Sequence, residues 1–215
     1  MYTDEMIRQE LLTWDIEISN QYLNHYPEQI QQFAASMALA CHAWKEFDET
    51  VQENEQRAHI SSLIFGAVSL HLMSTKLLIW GLLVPAGNMM RQVLEIISMA
   101  FLASKPRLGF LDRYASGRYS TDRAVRDVIK NHKNLNLEHD ALRILREALD
   151  FYNKFSHPTL LTVATFIELG GGTTYFGASF DPGKQEAYDK EISTRVQVAG
   201  LLENMIQGMR YNLDG

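Results

Sequence analysis

ISSLIFGAVSLHLMSTKLLIWGLLV, residues 60–84, is the stretch whose reading decides the fold. It is long and apolar enough for a bilayer-spanning helix. His71 and Lys76 nevertheless sit near its middle, beside Ser69, Ser74 and Thr75, and no basic cluster flanks either end. Intramembrane charge is costly, so the spacing reads as the central helix of a soluble bundle, and no membrane is expected as a partner.

Pro85 follows at once and suits the first turn of a helix. AGNMMRQVLEIISMAFLAS then runs to about Ser104, ahead of Pro106, and is apolar nearly all round, as a buried helix must be. The connection between the two is short enough to force them antiparallel.

Upstream, Thr3 to about His25 reads as a first helix, capped by Thr3 and stopped by Pro27, with Ile7, Leu11, Trp14, Ile18 and Tyr22 as one buried stripe. A second helix runs from about Glu28 into the polar Glu46–Glu55 region, with Ile30, Phe33, Met37, Cys41, Trp44 and Phe47 inward. Downstream come shorter pieces at Arg107–Gly117 and Thr121–His132, then a polar turn at Lys133–Asn136. A helix follows from Leu137 to Ser156, with Leu142, Leu145, Leu149, Tyr152 and Phe155 on one side. Thr159–Glu168 is a helix turn or a strand, and the glycines and aromatics of GGGTTYFGASFDPG give a small hairpin or a long loop. Asp181 and Pro182 open a last helix to about Met209. The expectation is a single all-α domain over 1–215, a helical bundle with its core at about 60–158 and a small irregular or β-like insertion near 165–182.

Much chemistry is excluded by what the chain lacks. Its one cysteine, Cys41, rules out a disulfide framework and thiolate-rich metal sites. HExxH, HxxxH and ExxH are absent, as are GxxxxGK[ST], GxGxxG and GxSxG. Neither a metal nor a cofactor is therefore expected. The opening MYTDEMIRQE puts charges where a signal peptide needs its apolar core, so a cytoplasmic protein is expected.

Three constellations remain. Arg91 and Glu95 lie with Asn88 and Ser98 on one polar stripe of the otherwise apolar 85–104 helix, as an i,i+4 ion pair or as the lining of a polar cavity. In YNKFSHP, 152–158, His157 closes a helix whose negative dipole end favours imidazolium, and Asn153 lies one turn earlier. That arrangement suits a general acid or base, or a histidine C-cap bonding the last carbonyls. From Lys105 to Lys133, basic residues including Arg107, Arg113, Arg118, Arg123, Arg126 and Lys130 interleave with Phe110, Tyr114 and Tyr119. Single-stranded nucleic acid needs that combination, charge for phosphates and planes for bases; the alternative is a solvated surface of short helices.

Two of these features carry a resemblance. An antiparallel pair bearing LLVPAGNMMRQVLE, followed after two further helices by a helix ending FYNKFSHP, resembles uncharacterised bacterial helical proteins in or near the HEPN superfamily, over roughly Ile60 to Pro158. The resemblance implies a four-helix core with extra helices, a homodimer, and in active members metal-independent RNA cleavage through the 2′-hydroxyl. It carries the family's histidine onto His157 and its polar residue onto Asn153, while the arginine position holds Tyr152. Arg91, oriented by Glu95, is then the candidate for the missing positive charge. A second candidate pair, Arg126 and His132, obeys the same arginine–polar–histidine logic.

The expected function is an HEPN-like protein of defence or toxin type that binds or cleaves RNA or a nucleotide through a pocket near His157. The alternatives are a non-catalytic dimerising module and a small-ligand sensor with a degenerate motif. The net charge of −6 does not oppose a phosphate-bearing partner, because it is segregated: −8 over residues 1–60, +6 over 61–137 and −4 over 138–215.

Overall fold

A computed structural model describes residues 3–155, 157–174 and 177–214, and among these the chain is all-α. The helices are α1 (Asp4–Leu12), α2 (Ile16–His25), α3 (Pro27–Asp48), α4 (Glu55–Ile79), α5 (Leu83–Ala103), α6 (Phe110–Ala115), α7 (Ala124–Lys130), α8 (His132–Leu135), α9 (His139–Tyr152), α10 (Leu160–Ala164) and α11 (Gln185–Asp214).

The antiparallel pair at the centre is α4 and α5, joined through Gly81, whose positive φ of 76° accommodates the turn. Ser179 backbone atoms press against Gly81 where a Cβ would sit, so glycine is required there twice over. His71 of α4 is buried, while Lys76 reaches out and places its ammonium over Trp80. Helix α11 packs along α3, and α7 and α9 close over α5. The principal apolar core takes Phe33 to Phe47 from α3 and Val198 to Met209 from α11, so it draws on both ends of the chain as well as on residues 60–158.

The first helix departs from expectation. It breaks at Thr13–Asp15, where Asp15 accepts from the backbone N–H of Glu17 and Ile18 and so starts α2. The break turns the supposed stripe out of register. Ile7, Leu11 and Trp14 are exposed, Leu11 at 79%, and Tyr22 is the first buried member.

Residues 133–136 differ as well: His132–Leu135 is a short helix, stopped by Asn136 in the left-handed region. Near 165–182 the described residues hold no strand, and one isolated antiparallel bridge joins Ile167 to Thr174. Tyr175 and Phe176 of that expected insertion lie outside the described residues. The last helix begins at Gln185, after a 3-10 turn capped by Asp181, and runs to Asp214.

Candidate functional site

Helix α9 is strongly amphipathic: its exposed Arg146 and Asp150, with the buried Leu149 at their border, continue into Asn153 and His157 at spacings of three and four. Facing them, Asp122, Arg126, Ile129 and Lys130 follow the same periodicity up to and along α7. Between the two rises Arg91 of α5. Together these ten residues line one groove of about 690 Å³.

Charge in the groove is uneven. Arg91 donates from Nε to Glu95 Oε1 at 3.0 Å, with both side chains largely buried. Arg126 reaches Asp122 at 2.9 Å, an exposed pair of small energetic weight. Lys130 and Arg146 make no ion pair among the described residues. The lining thus holds four cations beside Asp122 and Asp150, and with Glu95 paired to Arg91 from behind one positive charge is in excess. The apolar floor, Leu149 and Ile129, excludes water from one side and so strengthens these charges.

Of the expected residues, Arg91, Asn153, His157, Arg126 and Lys130 line the groove. Glu95 does not line it; it holds Arg91 from behind. His132 does not line it either, and its Nδ1 lies 2.9 Å from the Ile129 carbonyl, so the Arg126–His132 pair is not assembled.

Among the described residues the His157 ring caps no helix carbonyl. The α-helix ends at Tyr152 and gives way to a 3-10 turn over Asn153–Phe155, so His157 lies exposed beyond the last turn. Ser156 lies outside the described residues. Among those described, no hydrogen bond links Asn153, His157 and Arg91. The corner is held through its backbone instead, since the Thr162 hydroxyl shares its one proton between the carbonyls of Lys154 and His157, at 3.0 and 2.9 Å.

The rest of the basic stretch disperses. Arg107 binds Asn134, Arg113 caps the carbonyls of Leu108 and Gly109, Arg118 binds Ser116, and Arg123 is exposed and lies beside the lining residue Asp122 without lining the groove itself. Phe110 belongs to the core, and Tyr119 packs on it while donating to Asp127, which together with burial pushes the phenol's pKa upward. Among the interleaved aromatics, Tyr114 alone stays exposed.

Tyr152 has a role of its own. Fully buried, its hydroxyl donates to Glu191 Oε2 at 3.1 Å and accepts from Arg195 at 2.7 Å. Glu191 and Arg195 pair directly, and Arg195 also donates to Ser74, which donates to the Ala86 carbonyl at 2.8 Å. Burial pushes the Tyr152 phenol's pKa up against the pull of Arg195, and it lowers the guanidinium's against the opposing pull of Tyr152.

Arg146 and this buried pair were the residues overlooked in the sequence. Arg146 shares the periodicity of Asn153 and His157. Glu191 and Arg195 interrupt the apolar stripe of Tyr188, Ile192, Val198, Ala199 and Leu202 at stripe positions. Among the described residues no three His, Cys, Asp or Glu side chains gather as ligands for a metal ion. No family model, no curated protein and no solved structure matches the chain.

Proposed function

We propose that the groove binds the phosphates of RNA or a nucleotide, in an HEPN-like cytoplasmic protein that acts as a homodimer in a defence or toxin-type role. The observation that carries this reading is the meeting of Arg91, Arg126, Lys130 and Arg146, from three helices, beside an exposed histidine. Planar guanidinium groups suit phosphate oxygens. With few groove cations free of partners, binding engages about two to four phosphates, for a log–log salt slope between about −1.4 and −2.8 on a single strand.

The chemistry available is metal-independent cleavage. His157 takes the proton of a ribose 2′-hydroxyl as that oxygen bonds to phosphorus. The 5′-oxygen leaves and is protonated by water, giving a cyclic phosphate and a 5′-hydroxyl. The groove cations stabilise the charge on the phosphorane-like transition state, and Asn153 orients the phosphate.

A second reading, nucleotide or RNA binding without cleavage, is favoured by Tyr152, whose buried phenol supplies no positive charge to the groove. Fluorescently labelled RNA separates the two. Lys130→Glu with Arg146→Glu should abolish binding in both readings, whereas His157→Ala should stop cleavage and leave binding intact. Cleavage that survives His157→Ala removes the catalytic reading, and salt-insensitive binding removes the groove.

A further inference from the structure

On the other side of the same helix end lies a second cavity, of about 460 Å³, between α9, α10, the start of α11 and the first turn of α5. Its walls are apolar: Leu83, Phe151, Phe155, Leu161, Ala164 and Leu169. The volume falls within the range of about 300–1,000 Å³ typical of small-molecule sites.

Charged groups also line it, Lys184 and Glu191 buried and the others nearer solvent, and most are already committed. Lys184 is buried, donates to the Thr165 carbonyl at 3.2 Å and pairs with Asp181. Glu191 belongs to the Arg195 pair through Oε2, while its buried Oε1 has no hydrogen-bond partner among the described residues. That leaves Lys154 and Lys190 against Glu186, a net positive mouth over an apolar interior. Lys190 already extends over the Phe151 ring, 5.0 Å from its centre, which holds its ammonium at the border between the apolar wall and water.

We propose that this cavity binds an amphiphilic monoanion, with an alkyl or aryl body among Phe151, Phe155, Leu161 and Ala164 and an acidic head between Lys154 and Lys190. The wall formed by α10 is tied to the corner of the phosphate groove, because Thr159 donates to the Lys154 carbonyl and the Thr162 hydroxyl shares its proton between that carbonyl and the one of His157. An occupant packed against α10 therefore bears on the position of His157. The binding site itself does not depend on what the groove does.

Titration calorimetry of the full chain with straight-chain alkyl carboxylates of six to twelve carbons, below their micelle concentrations, tests the site. Affinity should rise about fourfold per methylene until the cavity is full. Alkylamines of equal length should bind at least tenfold more weakly, a comparison that needs no variant. Ala164→Trp, which fills the cavity, should weaken decanoate at least tenfold, and Lys154→Glu with Lys190→Glu should weaken decanoate but not decanol. No binding of any chain length at millimolar concentration overturns the proposal. So does a preference for amines, or undiminished binding to a folded Ala164→Trp variant.

Discussion

His71 gives the fold a built-in acid sensitivity whose size follows from its surroundings. The imidazole is fully buried in α4, edge-on to Phe33, and neither ring nitrogen has a hydrogen-bond partner among the described residues. Burial, reinforced by the Arg195 guanidinium, lowers its pKa from the ordinary 6.5 to about 3. The groups nearby offer no relief. Ser74 and Thr75 are neutral, and Glu191, the carboxylate of the network among the described residues, is paired with Arg195 and Tyr152. The folded chain thus stays unprotonated at His71 down to about pH 3, whereas the unfolded chain takes the proton near 6.5. Between those values the unfolded state holds the extra proton, so stability falls with falling pH.

This contribution is intact above about pH 6.5 and is lost progressively towards pH 3. The full span is on the order of 5 kcal/mol, and the part lost between pH 7 and pH 5 is about 2 kcal/mol. For a chain of this size, 2 kcal/mol corresponds to a melting shift of about 4–8 °C. Other groups titrate in the same window, so the measurement is a difference: urea denaturation of the wild type and of His71→Leu at pH 5, 6, 7 and 8. Losing the Phe33 edge contact adds an offset that does not vary with pH. The wild type should lose about 2 kcal/mol more than the variant from pH 7 to pH 5. Parallel curves for the two proteins would refute the reasoning, because they would mean that His71 ionises alike in the folded and unfolded states.

Two further outcomes follow from the packing around the groove. In Gly87→Ala the new Cβ would lie 2.5 Å from a Phe155 ring carbon. Overpacking of about 1–3 kcal/mol outweighs the gain in helix propensity of about 1 kcal/mol, so chemical denaturation should show a modest net loss; if the groove binds RNA as proposed, the displaced Phe155 should weaken that binding as well. Arg195→Met leaves Glu191 charged and buried and should cost about 3–5 kcal/mol in urea denaturation. The triple replacement Arg195→Met, Glu191→Leu and Tyr152→Phe should recover most of that loss; equal destabilisation by the single and triple variants would contradict it.

Periodicity carried the fold a long way, and its failures are specific. The α4–α5 pair was legible because its apolar positions, its proline and its short turn all agree. The first helix misled because Ile7, Leu11 and Trp14 step correctly, while Asp15 competes for the backbone as a cap and divides the segment. No local pattern says that Ile7 and Leu11 on the face so formed stay exposed while Trp14 packs on Trp80. The groove was half legible. Arg91, Asn153 and His157 stood out by residue type, but Arg126 and Lys130 join them only because α7 folds over α5 beside α9, which is a tertiary fact. Tyr152 stands where the resemblance puts an arginine. Its partners come from α11, some forty residues away, and no spacing on α9 announces them.

The buried pair also explains why the groove keeps its shape. A buried ion pair is weak evidence for stability, since well-packed apolar side chains of similar volume do as well or better. What it adds is registration. Apolar contacts tolerate sliding and repacking, but Tyr152 must meet Glu191 and Arg195 while Arg195 meets Ser74 and Ser74 meets the Ala86 carbonyl. That chain of hydrogen bonds crosses α9, α11, α4 and α5 in turn. Its two ends flank the groove corner: Tyr152 adjoins Asn153, and Ala86 adjoins Gly87, on which Phe155 rests. A slip of α9 by one turn would strand a charge in the core, so the alignment of Asn153 with Arg91 is fixed from inside the protein, by residues that never touch the groove.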